Sequence, residues 1–142
     1  MGLTEMASGN SLWYGFEYYE KEKVLSWKKD GDFAYSGSVA GSGTETYTVY
    51  IDTEHPRKSH CNCPHADGRR VICKHMIALY FTAEPEAAKE FLRKVKEWEA
   101  EEEEEEQRHY EELVEYVNGL SEGELRAKLL DALLELDERR YY

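Results

Sequence analysis

Three cysteines and one histidine lie close together near the middle of the chain, and their side chains are ligands for soft or borderline metal ions. Cys61 and Cys63 form one pair, Cys73 and His75 form a second, and nine residues separate the pairs. The sequence has no other cysteine. Structural zinc sites are almost always tetrahedral and closed by Cys and His ligands. The pattern therefore predicts one Zn²⁺ held by all four side chains, with no coordination position left for a substrate water.

Other interpretations of these residues are a redox pair, inert buried thiols or a disulfide. A disulfide would leave one of the three cysteines unpaired and is typical of secreted chains. His60 and His65 flank the first cysteine pair and are rival metal ligands. Each of them neighbours a cysteine pair without continuing the two-pair pattern, so His75 is the predicted ligand.

The Cys-x-Cys and Cys-x-His spacing resembles that of a SWIM-type zinc finger. The apolar run 76–80 follows the second pair. Upstream, two segments resemble the strand pair that precedes the metal site in that family: residues 41–42 and 47–51. The resemblance covers roughly residues 23–82. It implies a ββα zinc module that binds DNA or protein, in proteins that include some associated with helicases, recombination factors and transposases. It does not imply an enzyme.

The residues before the metal motif favour a small antiparallel sheet that would position it. Segments 24–27 and 33–35 are β-prone and flank Asp30-Gly31, a strong turn signal. In residues 46–51, the residue types suited to the two faces of a strand alternate at every position. This period of two is typical of a half-buried strand. We therefore predict three antiparallel strands.

A short helix is predicted to begin near Cys73. The N-terminal dipole and free N–H groups of such a helix favour the thiolate over the thiol, and His75 in the first turn could reach the same metal. Apolar side chains of the helix are expected to pack on the sheet: Ile77, Leu79 and Tyr80. A β-rich unit of about 60 residues has a thin core, so zinc binding is expected to decide whether it folds.

The two ends of the chain complete an α+β fold. Residues 1–22 are rich in aromatic side chains, which are expected to pack on the sheet or helices, or alternatively to form a peptide-binding patch: Trp13, Tyr14, Phe16, Tyr18 and Tyr19. Residues 23–82 form the predicted zinc module. Residues 83–142 form an acidic helical region in which two amphipathic helices make a helical hairpin, with a capping box at 121–124. The glutamate run 101–106 is predicted to be either a solvated helix or a frayed connection.

Charge is unevenly distributed along the chain. Thirty acidic and 18 basic residues give a net charge of −12, which would repel a polyanion over most of the surface. Residues 56–75, however, hold five basic side chains and one acidic. These five suit a solvated loop or, alternatively, contacts to nucleic acid: Arg57, Lys58, Arg69, Arg70 and Lys74.

These features predict a protein-binding zinc module or small adaptor subunit, not an enzyme. The alternative is a DNA-binding accessory factor of a helicase or recombination complex. Even so, the isolated chain is expected to bind nucleic acid only weakly. No membrane segment, signal peptide, small-molecule substrate site or nucleophile–base constellation is expected from the sequence. Cysteines used as metal ligands fit a reducing compartment, so a soluble cytoplasmic protein is predicted.

Overall fold

Four antiparallel strands and five α-helices make up residues 2–140, the part of the chain that the computed structural model describes. Met1, Tyr141 and Tyr142, at the ends of the predicted N-terminal and C-terminal segments, lie outside it. The α+β fold with a small antiparallel sheet is confirmed. In chain order the elements are α1 (Leu3–Met6), α2 (Gly9–Glu20), β1 (Val24–Lys29), β2 (Ala34–Ala40), β3 (Thr46–Asp52), a 3₁₀ turn (Pro56–Lys58), β4 (His60–Cys61), α3 (Lys74–Ala83), α4 (Pro85–Asn118) and α5 (Glu122–Arg140).

The sheet has the strand order β1-β2-β3-β4. β2 and β3 pair without interruption from Ala34 opposite Asp52 to Ala40 opposite Thr46. β4 adds only two residues, with Cys61 opposite Val49. The sequence predicted three strands, and that number was wrong because a two-residue strand is too short to show alternation. The missed strand matters, since it carries one of the four predicted metal ligands.

The core lies between the sheet and α3. Val49 and Ile51 of β3 are fully buried, and so are Ile77 and Leu79 of α3. The helix packs on β2 and β3 as predicted, but Ile77 lies against Gly15 of α2 and Tyr80 is only half-buried. A run of apolar side chains on α3 therefore fixes the helix that follows the metal motif.

The N-terminal aromatic segment is helical and packs on α3. Phe16 of α2 is buried, and its ring centroid lies 6.2 Å from that of Phe81 and 5.4 Å from that of Phe91. Gly15 allows the close approach, because a Cβ placed there would lie 2.5 Å from the Cβ of Ile77. The expected packing role of the aromatic residues is confirmed for Phe16 and Tyr18, both of which are buried.

The C-terminal region consists of α4 and α5 joined by residues 119–121. The apolar faces of the predicted helical hairpin are not packed against each other, because the side chains of residues 110–118 and of α5 are exposed. α4 runs through the glutamate run 101–106 without a break, so those residues are helical. The capping box is confirmed: the Ser121 N–H donates to the Glu124 carboxylate at 3.1 Å, and the Glu124 N–H donates to the Ser121 hydroxyl at 3.3 Å. The capping box formed by Ser121 and Glu124 thus marks the start of α5.

Residues of the described chain form two compact units, one up to Lys94 and the other from Val95 onward. The first contains the sheet and the metal motif, and the second contains most of α4 and all of α5. Within residues 2–140, no helix is both long and apolar enough to cross a membrane. The predicted division into 1–22, 23–82 and 83–142 stays a prediction.

Candidate metal centre

The fold brings the four predicted ligands into one buried cluster. The thiol sulfurs of Cys61, Cys63 and Cys73 and a ring nitrogen of His75 all lie within 4.8 Å of one another. The Nδ1 atom of His75 is 3.8 Å from the Sγ atoms of both Cys61 and Cys73. Ligands at about 2.0–2.3 Å from a tetrahedral ion are roughly 3.5–3.8 Å apart. The spacing therefore fits one Zn²⁺ at the centre of the four donors, with Nδ1 as the histidine donor.

Three local structures position the four ligands. Cys61 is held in β4 by its pairing with β3. Cys63 starts a tight turn in which its carbonyl accepts hydrogen bonds from the N–H groups of Ala66 at 3.1 Å and Asp67 at 2.9 Å. Cys73 is the N-cap residue of α3, and His75 lies in the first turn of that helix. The predicted helix start at Cys73 is confirmed.

Asn62 is a supporting residue that the sequence did not single out. Its side-chain oxygen accepts a hydrogen bond from the Thr48 N–H at 2.9 Å, and its own N–H donates to the Thr48 carbonyl at 3.4 Å. Asn62 therefore extends the attachment of the metal loop to β3 by one residue beyond β4. Its place between two ligand cysteines was the only signal that could have identified it.

Electrostatics favours a cation in the cluster. The hydrogen bond with Cys73, and then burial, raise the pKa of the Cys61 thiol. Burial, and then the charge of Cys73, raise the pKa of Cys63. The hydrogen bond from Cys61 lowers the pKa of Cys73 despite the opposing effect of burial, and hydrogen bonds from His75 and the Met76 amide lower it further. Protein groups alone thus stabilise one thiolate of the three, whereas a divalent cation would stabilise all three.

The His75 ring is enclosed by aromatic side chains. Its centroid lies 4.7 Å from that of Tyr47 and 5.6 Å from that of Tyr18, the latter edge-on. Its Nε2 atom is buried and has no hydrogen-bond partner among the described residues. An unpartnered buried polar group costs about 1–3 kcal/mol. Zn²⁺ at Nδ1 would not give Nε2 a partner, so the fit to zinc comes from the donor set and from the position of Nδ1 beside two thiols.

Neither rival histidine belongs to the cluster. His60 is exposed, and its ring stacks on Tyr50 with centroids 5.1 Å apart. His65 is also exposed, in the loop that follows Cys63. The group of donors that could hold one metal ion contains neither of them. The structure thus brings together the four residues of the two-pair pattern and leaves both rivals outside.

The five basic residues of the loop are in different environments. Arg57 and Lys58 are exposed on the 3₁₀ turn. Arg69 and Arg70 are exposed and line a groove of about 400 Å³ beside Asn62. Lys74 is half-buried, and its ammonium group lies 4.9 Å from the centroid of the Tyr18 ring, within cation–π range. The assignment of these side chains as nucleic-acid contacts stays a prediction.

Comparison with protein families agrees with the geometry. Residues 47–84 match the SWIM zinc finger family, a segment that runs from β3 through the metal loop to the end of α3. The chain therefore contains a SWIM zinc finger, a zinc-binding module with Zn²⁺ as its cofactor. Searches of the curated proteins and of the solved structures found no match.

Proposed function

We propose that this chain is a non-enzymatic adaptor whose zinc finger presents a protein-binding surface. The donor set supports this proposal, because three thiol sulfurs and one imidazole nitrogen lie close enough together to fill all four positions of a tetrahedral zinc ion. Catalytic zinc sites keep a position open for water or substrate. Zn²⁺ held by Cys61, Cys63, Cys73 and His75 then acts as a structural ion, and its chemical contribution is to fix β4 to the start of α3.

Two surface features support a protein partner. β1 lies at the edge of the sheet and pairs only with β2, so its outer edge has backbone groups that can accept a further strand. Leu25 and Phe33 are more than half exposed at or near this edge, and Trp27 is 44% exposed. Exposed apolar side chains grouped in this way are typical of interaction surfaces.

Affinity purification of the full chain from its native cell, with nuclease treatment, tests the proposal. A protein that persists after nuclease treatment and then binds the purified chain directly is expected. Leu25→Glu should weaken that binding at least tenfold, and Thr46→Glu, which places the same charge at another exposed strand position, should not. Partners that are lost with the nucleic acid would contradict the adaptor proposal.

The groove beside Arg69 and Arg70 favours a second candidate, a DNA-binding accessory factor. A net charge of −12 opposes this role for the isolated chain. We expect weak binding to short duplex or single-stranded DNA at physiological salt. Five basic side chains could neutralise about five phosphates, which limits the log–log salt slope to roughly −4.5.

The double variant Arg69→Glu/Arg70→Glu separates the two candidates. It should abolish residual DNA binding in a fluorescence anisotropy titration without removing zinc, since neither side chain belongs to the metal cluster. Submicromolar affinity of the wild type at 150 mM salt, lost in this variant, would favour the accessory factor over the adaptor.

A further inference from the structure

The second ring nitrogen of His75 lacks, within residues 2–140, the partner that a metal-binding histidine ordinarily has. When Nδ1 binds a metal ion, Nε2 carries the ring proton and is a hydrogen-bond donor. In most metal sites this N–H donates to a carboxylate, a backbone carbonyl or a water, and that bond fixes the orientation of the ring. His75 is buried, and its Nε2 atom has no such bond in the described chain. Contacts of another kind therefore orient the imidazole.

Two tyrosine rings lie against this imidazole. Tyr47 of β3 has its ring centroid 4.7 Å away with the planes tilted by 47°, and Tyr18 of α2 has its centroid 5.6 Å away with the planes at 64°. The second arrangement is edge-to-face, in which the positive edge of one ring meets the negative face of the other. An N–H group on a ring edge can donate a weak hydrogen bond to such a face. Of the two rings, Tyr18 thus has the geometry of an acceptor for the N–H group of His75.

Glu45 is the rival acceptor, because its side chain and the His75 ring line the same cavity of about 180 Å³. The Glu45 carboxylate is exposed, and it accepts hydrogen bonds from the Gly43 N–H at 3.3 Å and the Tyr47 hydroxyl at 3.4 Å. Within the described residues, no hydrogen bond joins it to His75. Because the Nε2 atom is itself buried, a water that would link it to Glu45 has little space. The contacts therefore favour Tyr18 over Glu45.

Helix α2 lies close to the first turn of α3, which carries His75. A Cβ placed on Gly15 would lie 3.0 Å from the carbonyl oxygen of Lys74, so a larger residue would push the two helices apart. The ammonium group of Lys74 lies 4.9 Å from the centroid of the Tyr18 ring, within cation–π range. The Tyr18 ring thus contacts two consecutive residues of α3, one of them a metal ligand. Since α2 lies outside the matched segment 47–84, it is an addition to the zinc finger that reaches the metal centre.

We propose that Tyr18 of α2 is a positioning residue of the zinc centre, whose ring face accepts the Nε2–H of zinc-bound His75 and so holds Nδ1 toward the three sulfurs. The unit that binds zinc then runs from α2 to the end of α3 and is longer than the matched segment. This role concerns the metal centre alone, and it does not depend on whether the finger binds a protein or a nucleic acid.

Competition with a chromophoric chelator measures the zinc dissociation constant of the full chain. Tyr18→Leu removes the ring and should raise this constant about 10–100-fold, the usual effect of losing a group that orients a ligand. Tyr18→Phe keeps the ring face and should stay within about threefold of the wild type. Tyr19→Leu is the matched control on the same helix, because the Tyr19 ring lies against Phe16 and Phe81, with centroids 6.0 and 6.1 Å apart. It should also stay within about threefold, and equal weakening by Tyr18→Leu and Tyr19→Leu would overturn the proposal.

NMR of the zinc-loaded protein with ¹⁵N-labelled histidine tests the contact itself. A proton over the face of an aromatic ring resonates upfield, so the Nε2–H signal of His75 is expected upfield of the usual imidazole N–H position. It should move downfield in Tyr18→Leu and stay unchanged in Glu45→Ala. The ¹⁵N shift of Nδ1 in the same spectra shows whether that atom binds the metal, which separates a wrong ligand assignment from a wrong role for Tyr18. An Nε2–H signal at the usual position in the wild type, or one that moves only in Glu45→Ala, would overturn the proposal.

Discussion

Removal of zinc by a chelator is expected to unfold the segment from β3 through α3, roughly residues 46–84, while α4 and α5 keep helical structure. Binding of structural zinc in finger peptides contributes on the order of 10–16 kcal/mol at neutral pH, and whole domains are stable by only about 5–15 kcal/mol. The four donors belong to β4, the following turn and the start of α3. Loss of the ion therefore releases the elements that enclose the core.

Hydrogen exchange with mass spectrometry is the suitable measurement for this prediction, together with circular dichroism. Amide protection should fall by several orders of magnitude in the segment 46–84 and return when zinc is added back. Helical dichroism should decrease only in part, because the 34-residue α4 and the 19-residue α5 supply most of it. Unchanged protection in a sample proven to be free of zinc would show that the metal is peripheral to folding.

Replacement of Phe81 by alanine is expected to lower the free energy of unfolding by about 3–5 kcal/mol. The Phe81 side chain is fully buried. Its ring centroid lies 6.2 Å from that of Phe16 of α2 and 5.6 Å from that of Phe91 of α4. The substitution would leave a cavity where three helices meet, and the surrounding rings cannot fill it without losing contacts with one another.

Urea unfolding of the zinc-loaded protein, followed by tryptophan fluorescence, measures this effect. Phe33→Ala is the matched control, because Phe33 is 53% exposed between β1 and β2 and its loss should cost less than about 1 kcal/mol. Equal destabilisation by the two substitutions would contradict the buried position of Phe81 among α2, α3 and α4.

The metal cluster was predictable because its signals are local. Two close pairs of ligands identify a zinc motif without knowledge of the fold, and the apolar run after His75 predicts the helix that carries it. The strand β3 and the capping box at Ser121 were predictable for the same reason, since each depends on residues within a few positions of one another.

Features that depend on distant residues were not predictable. β4 exists only because it pairs with β3, and its two residues have no pattern of their own. The aromatic segment did not indicate that α2 would place Tyr18 against the ring of His75, a contact between residues far apart in sequence. The helical state of 101–106 was left open because a run of glutamates has no apolar periodicity, and the long helix on both sides decides it.

Native mass spectrometry tests most directly whether one structural zinc is held by Cys61, Cys63, Cys73 and His75. The wild type should carry one zinc per chain. Cys73→Ser should carry none, and His75→Ala should bind zinc much more weakly, whereas His65→Ala should retain it. Tight stoichiometric zinc in the Cys61→Ser/Cys63→Ser double variant, or loss of zinc in His65→Ala with retention in His75→Ala, would contradict the assignment.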